Sequence, residues 1–234
     1  MTPVWLDKLL ALQQQDLRKR DFDAKLAAIP QDLHEAAERK KLLNAGITAA
    51  RQEADAVLLA IKKLESEIAA VEAENLRLQQ QSALVRSNEE YHAMLATVGR
   101  NKEIISGKEE EALELYDRSV EAQKNAAEIE YSNNAVIASV DDEIKELQEF
   151  ENTLKNSIAA LAEERPAMLA GIPQNILDRY TRILPRCRFA VAAADSGSCT
   201  NCHMKITMQT VNELKKSGFA ECDNCQAFVY YAGE

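Results

Sequence analysis

Four cysteines in two Cys-x-x-Cys pairs are the residues of this chain best suited to chemistry. Cys199 and Cys202 form one pair and Cys222 and Cys225 the other, with 19 residues between the pairs. Two pairs separated by about 15–20 residues match the spacing of a metal ribbon. Four thiolates complete a tetrahedral shell at roughly 2.3 Å and leave no position open to a substrate. The pattern predicts one structural Zn2+ per chain, which folds a small ribbon and performs no reaction. The rivals are a rubredoxin-like iron centre and a redox dithiol pair. His203 directly follows a ligand and reads as a surface histidine, since four cysteines already fill the shell; replacing a thiolate is the alternative. Cys187 reads as a small buried hydrophobe, with a fifth, exchanging ligand as its alternative.

The segment that must position these cysteines differs from the rest of the chain. Residues 1–165 hold only three glycines and two prolines and are rich in Ala, Leu, Glu, Lys and Gln, the strong helix formers. Residues 166–234 hold all five cysteines, four glycines and the other three prolines. Charge divides at the same place: 21 Lys+Arg against 32 Asp+Glu before it, net −11, and 7 against 6 after it, net +1. These shifts predict two domains, a helical region over 1–165 and a connector helix with ribbon over 166–234.

A seven-residue apolar repeat runs through the first region. Ile47, Ala54, Ile61, Ile68 and Asn75 interleave with Ala50, Val57, Leu64, Val71 and Leu78. A second seam joins Ile137, Ile144, Glu151 and Ile158 to Val140, Leu147, Leu154 and Leu161. Such seams mark coiled coils. Asn75 and Glu151 intrude at core positions, where a polar group either fixes register or reaches water through local splaying. Ser87 and Glu90 form a capping-box pattern that starts a second helix after a break near residues 82–88. The predicted fold is mainly α: a long antiparallel coiled-coil hairpin followed by a small C-terminal zinc ribbon. Pro30 predicts a bend or short break in the first arm. In the connector, Pro166 and Pro173 bracket Ala-Met-Leu-Ala-Gly-Ile, which breaks the long helix, and a short helix is expected over about 174–184. Strands are expected near 187–193, 219–222 and 227–231, with a helix over 208–216 that Gly218 caps.

The cysteine-bearing stretch Cys199-Thr-Asn-Cys202-His-Met-Lys, then Gln209, Cys222-Asp-Asn-Cys225 and Val229-Tyr230, resembles the bacterial family of four-cysteine zinc-ribbon proteins with an N-terminal coiled-coil hairpin. Asn88-Glu-Glu-Tyr91 matches a patch that members carry just past the hairpin turn. The resemblance implies that Cys199, Cys202, Cys222 and Cys225 bind zinc. It also implies a role in nucleic-acid binding, or in flagellar or secretion regulation through an alternative sigma factor of RNA polymerase. The family favours Gly-Arg after the last cysteine, where this chain has Gln226-Ala227, and glycines where it has Arg186-Cys187-Arg188.

Arg179, Arg182 and Arg186 fall on one face of the connector helix, with Arg188 beyond it. With Lys205, Lys215 and Lys216 they are the candidate partner surface. The arginines suit phosphate, or ion pairs with Asp178, Glu163 or Glu164. Three histidines are present, two of them in the coiled coil, and no nucleophile elbow, phosphate loop or open metal site appears, so no enzyme is expected. A sequence pI near 5.0 supplies little of the positive charge that dominates nucleic-acid affinity. The expectation is a non-enzymatic adaptor that engages a protein partner, with nucleic-acid binding through the ribbon as the alternative. Exposed seam residues leave a homo-oligomer open. No signal peptide or membrane-spanning stretch is expected, which points to a reducing cytoplasm and no membrane partner.

Overall fold

A computed structural model describes residues 3–85 and 87–231. Two long helices pack together, α1 (Val4–Ser82) and α2 (Asn88–Leu169). A short helix α3 (Gln174–Ile183) follows, then strands β1 (Val191–Asp195) and β2 (Ser198–Cys199), helix α4 (Met208–Ser217), and strands β3 (Phe219–Glu221) and β4 (Phe228–Tyr231). The chain divides into two compact units, Leu33–Lys145, and Met1–Asp32 with Glu146–Glu234.

In the unit Leu33–Lys145 the helices run antiparallel, because their cross-links climb one helix as they descend the other. Lys40 pairs with Asp141, Arg51 with Glu130 and Lys108 with Glu67. Ile47, Ala50, Ala54, Val57, Ile61 and Leu64 are buried, as the first seam requires. Their counterparts on α2 include Val98, Ala112, Ser119, Ala126 and Val140. Ala50, Ala54 and Ala126 form a cluster of small residues. Asn75 is buried and accepts a 2.8 Å hydrogen bond from the Asn101 side chain, so this polar core position is held by a partner. Asn133 donates to the Leu43 carbonyl at 3.1 Å. A Cβ on Gly46 would come within 3.3 Å of the same Asn133 nitrogen, so glycine makes room there.

The turn lies between Ser82 and Asn88, where Tyr91 N–H closes the first turn of α2 on the Ser87 carbonyl at 3.1 Å.

In the other unit, α1 buries Leu6, Leu9 and Leu12 against Ile172, Tyr180, Ile183, Val191 and Phe228. Trp5 lies edge-on to Phe219 at 4.8 Å between ring centres. Gln13 acts as a strand's neighbour: its amide donates to the Val191 carbonyl at 2.8 Å and accepts from the Val191 N–H at 2.7 Å. The sheet order is β2-β1-β4-β3, with β1 and β4 parallel and the outer pairings antiparallel.

Two expectations need correction. α1 continues through Pro30. Proline fixes a φ that suits a helix, and Pro30 sits on an exposed face beside Ile29, which is buried. The ring of Pro30 therefore meets solvent rather than the core, while the buried Ile29 holds the seam. α2 passes Pro166 and ends at Leu169, inside the stretch between Pro166 and Pro173 that is expected to break it. The strand expected near 187–193 begins at Val191, because the Asn201 side chain takes the Phe189 N–H at 2.9 Å in place of a strand partner. Glu151 turns outward to Lys155 at 2.6 Å.

Candidate metal centre

Each Cys-x-x-Cys pair builds the same turn. Cys199 N–H donates to the Met204 carbonyl at 3.0 Å and Cys222 N–H to the Ala227 carbonyl at 2.9 Å. His203 N–H then reaches back to the Cys199 carbonyl at 2.7 Å, and Gln226 N–H to the Cys222 carbonyl at 2.9 Å. The residue after each second cysteine is left-handed, His203 at φ 61° and Gln226 at φ 62°. That conformation strains any residue but glycine. Glycine at either position would meet no such strain.

The strands bring the two turns together. β2 delivers Cys199, β3 leads into Cys222, and β1 and β4 join them in one sheet. The four Sγ atoms lie within 4.8 Å of one another. Cys199 Sγ is 3.9 Å from Cys225 Sγ, and Cys202 Sγ is 3.7 Å from Cys222 Sγ. A tetrahedron of thiolates 2.3 Å from a central ion has edges of about 3.8 Å. The cluster is therefore shaped to hold a metal ion. Cys199 and Cys222 are buried, Cys202 and Cys225 half-buried, and none of the cysteines forms a disulfide.

Burial pushes the Cys199 thiol up to about 12, although the Cys202 and Asn201 amides favour its ionised form. Burial raises Cys222 as well. At Cys202 burial works the same way, but hydrogen bonds from the Met204 amide, the Asn224 side chain and the Cys225 and Cys222 thiols together outweigh it and bring the thiol down to about 7. Amides aimed at sulfur favour the thiolate, the form that ligates a metal.

Asp223 ties the second turn to α4. It accepts from the Thr210 hydroxyl at 2.8 Å, and Thr207, the N-cap of α4, accepts from Thr210 N–H at 3.2 Å. The hydrogen bond from Thr210 and those from Thr207 hold the Asp223 carboxyl below its ordinary range. Sequence reading missed this brace; the polar Thr207 and Thr210 beside a knuckle were its only trace.

His203 is exposed and lies outside the sulfur cluster. Cys187 is half-buried and donates its thiol to the Cys225 carbonyl at 3.6 Å, so it supports the second turn without joining the cluster. The connector arginines separate. Arg179 pairs with Glu221 of β3 and lies over the Phe228 ring at 5.5 Å, so it holds α3 to the ribbon. It does not pair with Asp178, which takes the Gln174 amide at 2.8 Å. Arg182, Arg186 and Arg188 are exposed, with Arg188 over Phe189 at 5.2 Å. Arg182 lines a cleft of about 380 Å³ with Arg179, Glu221, Asp223 and Gln226. Lys205, Lys215 and Lys216 are exposed.

No protein-family model matches this chain, and no curated protein sequence matches it. Its fold is similar to that of CT398 from Chlamydia trachomatis, at 18% identity over 97% of each chain with a TM-score of 0.79. It is also similar to a protein of Mycobacterium smegmatis, at 17% identity over 95% of this chain and 98% of that one, with a TM-score of 0.55. At these identities the likeness shows the fold alone. Among the described residues, no helix is long and apolar enough to cross a membrane.

Proposed function

We propose that this chain is a non-enzymatic zinc-binding adaptor whose ribbon and connector engage a protein partner. The observation that carries this reading is the closed set of four sulfurs, with inter-sulfur distances of 3.7 and 3.9 Å across the two turns. Four protein thiols complete a zinc shell and leave no site for a substrate or an activated water. Thiolate donors and near-tetrahedral spacing favour Zn2+ as the ion. When bound, zinc supplies cross-linking of the two turns; the cysteines and their amides fix its geometry.

Protein is favoured over nucleic acid because the basic surface is thin. Arg179 is spent on Glu221, and Glu221 and Asp223 share the cleft that Arg182 lines. The resemblance to zinc-ribbon regulators suggests a partner in transcription or secretion. The test is capture of partners by the intact protein from its own cytosol, with and without nuclease. Arg182→Glu with Arg186→Glu should abolish capture and leave zinc content unchanged. Nuclease-sensitive capture, with log affinity falling by about 0.9 per phosphate contact against log salt, would favour nucleic acid instead.

A further inference from the structure

The unit Leu33–Lys145 carries large apolar side chains that nothing in it covers. Leu113 is 66% exposed, Val120 68%, Tyr131 83% and Tyr116 44%. At about 100° per residue these four fall within about 60° of one another on α2. Ala112, Ser119 and Ala126, which α2 buries, lie on another side of the same helix. The Tyr116 hydroxyl donates to Glu65 across the hairpin, so the stripe borders the α1 face that holds Glu65. Leu58, seven residues before Glu65, lies on that face and is 36% exposed. Single exposed apolar residues are ordinary, whereas a set at i, i+3 and i+7 such as Leu113, Tyr116 and Val120 marks a contact surface, with Tyr131 at its far end beyond Lys124.

The rim supplies the chemistry of the occupant. At about 100° per residue, Glu110, Glu114, Asp117, Glu121 and Glu128 flank the stripe on its side away from α1, with Lys124 the one cation among them. A second copy laid on this stripe would bring two such flanks together, which like-charge repulsion opposes. A helix with an apolar i, i+3, i+7 face and Lys or Arg along the side that meets these acids complements the stripe and its rim at once. We infer that Leu58, Leu113, Tyr116, Val120 and Tyr131 dock a basic amphipathic helix of a partner protein. This surface is separate from the connector arginines, so its failure leaves the adaptor reading standing.

The test uses the full chain and a fluorescein-labelled Leu/Lys amphipathic peptide of about 18 residues, with its Leu/Glu counterpart as control. Anisotropy should show that the Lys peptide binds and the Glu peptide does not. Val120→Ser with Tyr131→Ser should weaken that binding by about tenfold or more and leave helicity unchanged. Arg182→Glu with Arg186→Glu should leave it as it was. Equal binding of both peptides, or undiminished binding by the serine variant, would overturn the inference. So would a concentration-dependent dimer, seen by sedimentation, that the serine substitutions dissociate; that result would assign the stripe to a second copy.

Discussion

The Tyr180 hydroxyl donates to Asp16 at 2.8 Å, with no part of Tyr180 exposed. Arg165 pairs with the same carboxylate, so one buried acid holds α1, α2 and α3 together. Tyr180 falls within the connector helix expected over about 174–184, but nothing local marks its role, because Asp16 lies 164 positions away in sequence.

That cluster predicts an alkaline weakness. Burial, then the Asp16 charge and hydrogen bond, raise the Tyr180 hydroxyl well above its ordinary value. The folded protein therefore keeps a proton that the unfolded chain releases from about pH 10 upward. The resulting stability is complete below that value and is lost as pH rises beyond it, by up to about 1.4 kcal/mol per pH unit. Tyr180→Phe should remove this slope while costing about 1–2 kcal/mol at neutral pH. Denaturation followed by fluorescence of the single tryptophan, Trp5, at pH 8 and 11 checks both; an unchanged slope in the variant would refute the assignment.

Metal dependence should be confined to the ribbon. Cys199→Ser or Cys222→Ser should lose the ion and unfold the sheet, since structural zinc contributes on the order of 10–16 kcal/mol in small zinc-finger peptides. The heptad seam of Leu33–Lys145 owes nothing to the cysteines, so far-ultraviolet helicity should persist. Elemental analysis should find one zinc per chain. Iron, or loss of most helical signal on chelation, would contradict this account.

The left-handed residues offer a gain. His203→Gly and Gln226→Gly should each stabilise the metal-bound ribbon relative to the matching alanine variants, by about 1 kcal/mol, because only glycine adopts φ near +60° without strain. Competition with a chelator, ranking Gly above Ala at both positions, is the measurement. Equal ranking would mean that the turns relax in solution.

Much of this fold could be read from the chain because its signals are local and periodic. The heptads from Ile47 to Leu78, the cysteine spacing and the Gly218 cap, observed at φ 76°, are such signals. The seam of α2 between Val98 and Asn133 was missed because Ser119, Asn101 and Asn133 interrupt its apolar pattern. β2 spans two residues, too short for alternation to reveal. Arg179 looked like part of a binding face because helical spacing says which side a residue occupies. It does not say that Glu221 and Phe228 wait there.

Pro30 yields the last prediction. A proline inside a helix costs about 3 kcal/mol relative to alanine, through a lost hydrogen bond and a clash with the preceding turn. Had Pro30 ended one helix and begun another, its replacement would gain little. Because α1 is continuous from Val4 to Ser82, Pro30→Ala should restore the bond to the Leu26 carbonyl and stabilise the helix by about 1–3 kcal/mol. Amide exchange should slow for residues flanking position 30 and stay unchanged in the ribbon. Unchanged or faster exchange there would mean that the chain breaks at Pro30 in solution.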